Sequence, residues 1–187
     1  REQPRGVITQ LGGQTPLRLA AGLESAGVPL LGTSAASIEL AEDRERFAEL
    51  TAALGLVTPS WSIAQGPDDL VAQARTVGFP ALVRPSFVLG GRAMAIIYSE
   101  AELEAYLERE RPRWPVLIDR FLEDAIELDV DALADGSDCH IAAILEHVEA
   151  AGVHSGDSAC VIPPQEVGPG VIDQIAECTH RLAVGLG

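Results

Sequence analysis

Arg84 and Arg92 stand on either side of a Gly90-Gly91 pair in the stretch Phe79-Pro80-Ala81-Leu82-Val83-Arg84-Pro85-Ser86-Phe87-Val88-Leu89-Gly90-Gly91-Arg92-Ala93-Met94. These residue types suit the holding of an anion. A guanidinium is a planar, permanently charged fork that matches phosphate oxygens. Glycine lets main-chain N–H groups come close to a ligand. The stretch opens as an apolar run, ends that run in Arg84, and is followed by a second run, Ala95-Ile96-Ile97-Tyr98. The order reads as strand, loop, strand, with both cations and the glycines at the tip. A plain hairpin with a Gly-Gly turn and solvated arginines fits the same residues, so this segment alone leaves both readings open.

Composition narrows the ligand class. The chain has 187 residues, 47% of them hydrophobic, enough for one good core or two small ones. Its 13 Lys+Arg against 28 Asp+Glu give a net charge of −15. Such a surface repels nucleic-acid backbones and anionic membranes, whose binding depends on cations neutralising phosphates. No nucleic acid and no membrane are therefore expected as partners, while a small anion held by a few local cations or a metal remains open. Aromatics make up 4%, so the core must be aliphatic and no stacking platform for single strands is visible. Cys139, Cys160 and Cys178 are odd in number, far apart and without a CxxC pair. That argues against a disulfide framework or structural zinc and implies a reducing, cytoplasmic location. No apolar run reaches the length of a membrane span. Arg1-Glu2-Gln3-Pro4-Arg5 leads straight into a strand-like run and does not read as a signal peptide.

The elements that must position these residues follow from periodicity. Gly6 to Leu11 reads as a buried strand, Pro16 to Ala26 as a helix stopped by Gly27, and Val28 to Gly32 as a second strand, together a β-α-β unit. One such unit is too small for a domain, so the chain is expected to begin partway through one. Thr33-Ser34 read as caps of an acidic helix bearing Glu39, Glu42 and Asp43, followed by a helix from Arg44 to Leu54 that ends at Gly55. Thr58 to Ile63 is extended. Asp68 to Val77 is a helix with Leu70, Val71 and Ala74 inward and Gly78 closing it. Ser99-Glu100-Ala101-Glu102 is a capping box that starts a helix running to about Arg111. Pro115 to Asp119 reads as a buried strand. Ile126, Leu128, Val130 and Ala132 alternate with Glu127, Asp129 and Asp131, the period of a half-exposed strand. Asp135-Gly136 turns that strand into His140 to His147. A loop from Glu149 to Pro164 leads to a final helix from about Pro169 to Val184.

Three motifs, in this order, carry a family resemblance: Ala41-Glu42-Asp43-Arg44-Glu45-Arg46-Phe47, the Arg84–Met94 segment, and Ala151-Gly152-Val153-His154-Ser155-Gly156-Asp157-Ser158-Ala159. Together they resemble the carbamoyl-phosphate synthetase large subunit, in the ATP-grasp region of its C-terminal half. Gln10-Leu11-Gly12-Gly13-Gln14-Thr15-Pro16-Leu17 and Val28-Pro29-Leu30-Leu31-Gly32-Thr33 look like the end of the domain before it. The resemblance implies an α/β (α+β) ATP-grasp fold, two subdomains around a nucleotide cleft, preceded by the end of a Rossmann-like domain. It divides the chain into 1–38 and 39–187, the latter incomplete at its C-terminus. Gly90-Gly91-Arg92-Ala93-Met94 and His154-Ser155-Gly156-Asp157 look like the half that phosphorylates carbamate rather than bicarbonate. The implied parent is an ATP-dependent ligase that makes carbamoyl phosphate from bicarbonate, glutamine-derived ammonia and ATP, for arginine or pyrimidine biosynthesis, with a glutamine amidotransferase small subunit as partner.

Carried over residue by residue, the resemblance makes Arg84 the phosphate-contacting, catalytic cation at a strand end and Arg44 a second nucleotide-side arginine. On composition alone, Arg44 equally suits a solvated i,i+4 pair. Gly90 and Gly91 become a flap over the phosphates, with Arg92 near substrate or water. Arg120 and Leu122 lie in the hinge that contacts adenine through backbone groups; relatives often carry histidine or lysine at the position of Arg120. Glu127 matches the carboxylate that holds the ribose hydroxyls. Gly152, Val153, His154 and Ser155 line the nucleotide pocket, His154 in binding rather than proton transfer, with Asp157 ordering the loop. No role falls to His140, His147 or His180.

The family's ligands for Mg2+ or Mn2+, a glutamine followed by a glutamate and an asparagine, are expected beyond residue 187, so no metal ligand is expected within it; the sequence holds no asparagine. The chain therefore reads as an inactive fragment of a longer enzyme. Another carboxylate ligase of the same fold, such as a biotin carboxylase, is an alternative, although those usually carry lysine where Arg84 stands. A non-catalytic interaction module is another. Phosphoryl transfer leans on the metal for charge neutralisation, so calorimetry on the chain alone should give weak or no MgATP binding; micromolar affinity would contradict this.

Overall fold

A computed structural model of the protein describes residues 2–85, 94–151 and 158–187. In chain order its helices and strands are α1 (Gln14–Leu17), α2 (Ala20–Ser25), α3 (Ala35–Glu42), α4 (Arg44–Ala53), β1 (Trp61–Ala64), α5 (Pro67–Val77), β2 (Ala81–Pro85) and β3 (Ala95–Ile97). There follow α6 (Glu100–Glu110), β4 (Val116–Arg120), β5 (Leu128–Ala134), β6 (Cys139–His147), β7 (Cys160–Val161) and α7 (Pro169–Leu186). The chain divides into two units, one of residues 1–57, 128–148 and 159–187, the other of 58–127 and 149–158.

In the first unit the expected β-α-β opening is reduced. Its two strands meet at a single parallel bridge, Val7 to Leu30, with the Val7 N–H donating to the Pro29 carbonyl at 2.9 Å and the Leu31 N–H to that of Val7 at 2.8 Å. Beyond it the Gln10 side chain accepts from the Thr9 N–H at 3.1 Å and Gln10–Gly12 turns as a short 3-10 helix, a local bond winning over the ladder. The helix expected over Pro16 to Ala26 is two helices, because the Leu19 N–H bonds the Pro16 carbonyl only three residues back. Ser34 caps α3, as expected, by accepting from the Ser37 N–H at 3.1 Å. Asp43, in contrast, is not helical: its extended backbone ends α3, and its carboxylate caps α4 by accepting from the Arg46 N–H at 3.0 Å.

The sheet of this unit runs β5-β6-β7, all antiparallel. Leu128 and Val130 are half-buried and Asp129 and Asp131 exposed, but a bulge between Asp131 and Ala132 ends the alternation and leaves Leu133 exposed. Ile126 lies outside the strand. At the turn, the Asp135 carboxylate accepts from the backbone N–H of Asp138 (2.9 Å) and Ser137 (3.0 Å), which lowers its carboxyl to about 2. β7 falls within the stretch read as loop. Beside it two polar side chains of β6 are buried. His147 shares a 3.0 Å hydrogen bond between its Nε2 and Asp129 Oδ2. Glu146 Oε2 accepts from the backbone N–H of Gln165 (3.0 Å) and Glu166 (2.9 Å), tying the approach to α7 onto the sheet.

The second unit is a four-stranded sheet in the order β1-β4-β2-β3, every pair antiparallel, with α5 and α6 packed on it. Pro67 opens α5 where its missing N–H costs nothing, Asp68 and Asp69 complement the N-terminal dipole, and Gly78 ends it at φ 84. Leu70, Ala74 and Val77 form the buried stripe that the helical period calls for. Ser99 caps α6 from its hydroxyl, while the Glu102 carboxylate reaches the Tyr98 N–H at 2.9 Å, one residue before the usual partner. Leu103 and Tyr106 then join Val83, Val116 and Ile118 in the core. Burying each large apolar side chain contributes about 1.5–3 kcal/mol, so this layer is the main source of the unit's stability.

Two outcomes follow from these buried groups. Burial raises the Tyr106 phenol from 10.0 to about 12. The folded state favours the neutral form, so this stabilisation is complete below pH 10.0 and fades as pH rises toward 12. The urea midpoint should fall across that window in the native chain and fall less in Tyr106→Phe; equal losses would contradict it. Removing the Glu146 clamp by Glu146→Ala should cost about 1–3 kcal/mol and speed hydrogen exchange at the Gln165 and Glu166 amides. Unchanged exchange there would show that the clamp holds nothing.

Candidate functional site

Side chains on cross-strand partners share a face of a pleated sheet, so the pairing sorts the second unit's residues. Ser62, Ile118, Val83 and Ala95 form one row toward the helices, with Ala64 and Val116 beside them and Arg120, Ala81 and Ile97 on the other flank. The opposite face carries Trp61, Asp119, Leu82 and Ile96 in one row and Ile63, Leu117 and Arg84 in the next. The helix side is closed, with Ala64, Ala81, Val83, Val116 and Ile118 fully buried. On the other side Leu117 is buried, Trp61, Ile63, Leu82 and Arg84 are half-buried, and Ile96 is exposed. The unit thus presents an apolar sheet face bearing a cation at its edge.

Arg84 pairs directly with Leu117 across the ladder, which makes Asp119 its diagonal neighbour on the same face. Arg84 Nε donates to Asp119 Oδ2 at 2.8 Å and Nη2 donates to the same oxygen. The side chains of Arg84 and Asp119 are 31% and 16% exposed, so the pair is partly sheltered and the guanidinium is held in one orientation. Among the described residues Asp119 engages two of the five N–H donors of Arg84. Asp119 is a residue that the sequence alone did not single out for this part: its acid type at a strand end was visible, but the register that sets it diagonal to Arg84 was not.

The hinge residues lie where β4 ends. The Arg120 N–H donates to the Ser60 carbonyl at 2.7 Å and the Phe121 N–H to that of Pro80 at 2.9 Å. The Arg120 side chain belongs to the helix-bearing face, opposite Arg84, and its Nη1 donates to the Phe79 carbonyl. Leu122 is 53% exposed, so its side chain is not core. Glu127, half-buried and engaged, stands immediately before β5. Arg84, Arg120, Leu122 and Glu127 all belong to the second unit, whereas Arg44 opens α4 in the first, directly after the cap Asp43. Gly90, Gly91, Arg92, Gly152, Val153, His154, Ser155 and Asp157 lie outside the described residues. The segments that contain them join β2 to β3 and β6 to β7.

Among the described residues, no group of three or more His, Cys, Asp or Glu side chains is disposed to hold a metal. Nor is any described helix long and apolar enough to cross a membrane. Two grooves of the first unit are lined by none of the described residues expected to meet a nucleotide. One, of about 210 Å³, is lined by Leu17, Ala20, Ala35 and Ile38; another, of about 410 Å³, by Cys139, His140, Asp173 and His180.

Comparison with known proteins places this arrangement. The family model described as "Carbamoyl-phosphate synthase L chain, ATP binding domain" matches residues 43–187, and that of the "Carbamoyl phosphate synthase preATP-grasp domain" matches residues 1–40. The carbamoyl phosphate synthase large chain of Methanothermobacter thermautotrophicus is 54% identical over 189 residues, covering 100% of this chain and 18% of the relative. That of Rhodopirellula baltica is 55% identical over 187 residues, covering 98% and 17%. The chain thus spans less than a fifth of the length of these relatives. Among solved structures, N5-carboxyaminoimidazole ribonucleotide synthetase from Thermus thermophilus superposes with a TM-score of 0.73 at 22% identity, covering 96% of this chain and 47% of that one. The VanG D-Ala:D-Ser ligase of Enterococcus faecalis gives 0.72 at 17%, covering 90% and 52%. These two likenesses establish the ATP-grasp fold alone, while the sequence matches establish descent: the chain belongs to the carbamoyl-phosphate synthase large-chain family, as part of its ATP-binding region.

Proposed function

We propose that the chain contributes the nucleotide site at which a carbamoyl-phosphate synthase phosphorylates carbamate. A carbamate oxygen attacks the γ-phosphorus of ATP, the bond to ADP breaks, and carbamoyl phosphate forms; no covalent enzyme intermediate is required. The observation that carries the reading is Arg84, a cation held by Asp119 on the half-open face of the sheet. A cation fixed before the reaction stabilises charge on phosphate oxygens without reorganising. The apolar residues on the same face, Trp61, Ile63 and Leu82, suit a flat base, which a protein commonly seats on apolar surface and reads with a few polar groups.

In this reading Arg44 and Arg84 meet the phosphates and Gly90 and Gly91 close over them. The backbone of Arg120 and Leu122 meets adenine, Glu127 holds the ribose, and Gly152, Val153, His154 and Ser155 complete the pocket. Residues 1–38 close a preceding domain and 39–187 begin the ATP-grasp domain. Ligands for Mg2+ or Mn2+ are assigned outside residues 1–187. A glutamine amidotransferase small subunit as ammonia source, a role in arginine or pyrimidine biosynthesis and a cytoplasmic location complete the proposal.

The reverse half-reaction, ATP and carbamate from ADP and carbamoyl phosphate, isolates this site from any other ATP-consuming step. In the intact polypeptide that contains this chain, Arg84→Ala should lower kcat/KM for that reaction about 10²- to 10³-fold, with Arg84→Lys recovering part. Native rates in Arg84→Ala would overturn the assignment and favour a non-catalytic module.

A further inference from the structure

We infer that the Arg120 side chain is a strut that sets the path of the hinge, a positioning residue rather than a nucleotide ligand. The inference rests on the nucleotide site proposed above. Three bonds fasten the end of β4. Two are main-chain, from the N–H of Arg120 to the Ser60 carbonyl and from the N–H of Phe121 to the Pro80 carbonyl. The third crosses the helix-bearing face, from Arg120 Nη1 to the Phe79 carbonyl.

The site for that guanidinium is built. Gly78 ends α5 at φ 84, and a Cβ there would lie 3.2 Å from Arg120 Nη1. Glycine thus satisfies the backbone and leaves room for the cation. The end of a helix also concentrates partial negative charge on its last carbonyls, which favours a cation beside the turn that follows α5. The neighbouring residue works from the other side of the sheet, since Asp119 holds Arg84 on the open face. The terminus of β4 is therefore gripped from both faces, by Arg120 through Phe79 and by Asp119 through Arg84. Any slip of this terminus moves the hinge backbone, and Asp119 with it. Loss of the strut should therefore weaken nucleotide binding without disturbing the core beneath.

The test uses the intact polypeptide and the reverse half-reaction. In Arg120→Gln the KM for ADP should rise about tenfold, with kcat held within about twofold and the melting temperature little changed. In Arg120→Lys, which keeps the charge but loses the fork, the KM should fall between the two. An unchanged KM in Arg120→Gln, or a fall in kcat at constant KM, would overturn the strut. If Arg120→Gln does not fold, the lysine variant decides alone: a raised KM supports the strut and a native KM overturns it. Glu127→Gln is carried alongside. If both variants keep the native KM, the proposed nucleotide site itself is wrong; if only Glu127→Gln raises it, the site stands and the strut fails.

Discussion

Everything proposed for the second unit depends on the two-residue period of a pleated strand. Along β4 the period sends Val116, Ile118 and Arg120 to the helix side and Leu117 and Asp119 to the other. Along β2 it sends Ala81 and Val83 inward and Leu82 and Arg84 outward. A shift of register by one residue would drive Arg84 into a fully buried core and put Val83 in its place. The apolar layer formed with α5 and α6 forbids that slip, because it would expose several large side chains at about 1.5–3 kcal/mol each. The core thus fixes the face on which the cation stands, and Asp119 fixes how it points there.

The charge balance gives Arg84 its meaning. In a chain of net charge −15 an anion is repelled by most of the surface. It can approach where a guanidinium is sheltered and held among apolar side chains, as Arg84 is beside Leu117 and Leu82. The Asp119 carboxylate lessens the net charge at that point, yet it removes the entropy of placing a long, flexible side chain. The first unit uses buried acid differently. Glu146 is spent on two backbone N–H groups and His147 on Asp129. The first ties the approach to α7 onto β6, and the second ties β6 to β5.

How far the sequence reveals this depends on the range of each interaction. Helices α5 and α6 were legible because the buried stripe of Leu70 and Ala74, the closing Gly78 and the Ser99 cap are local signals. The turn at Asp135-Gly136 and the strand pairing around it were legible for the same reason. The reduction of Gly6 to Leu11 to one bridge was not, since a strand candidate does not disclose whether neighbours exist to extend its ladder. Asp43 misled because an acid next to a helical pattern extends the helix and caps the next one equally well. The two-residue β7 is too short for any period to register. Arg84 and Arg120 were both visible as cations at strand ends, but that they lie on opposite faces, bonded to Asp119 and Phe79, follows only from the register.

The most direct test is a crystal structure of the intact polypeptide with a non-hydrolysable ATP analogue. The base should lie against the face that carries Trp61 and Leu82, with a phosphate oxygen within hydrogen-bonding distance of the Arg84 guanidinium. A nucleotide seated elsewhere, with Arg84 still bonded to Asp119 alone, would contradict it.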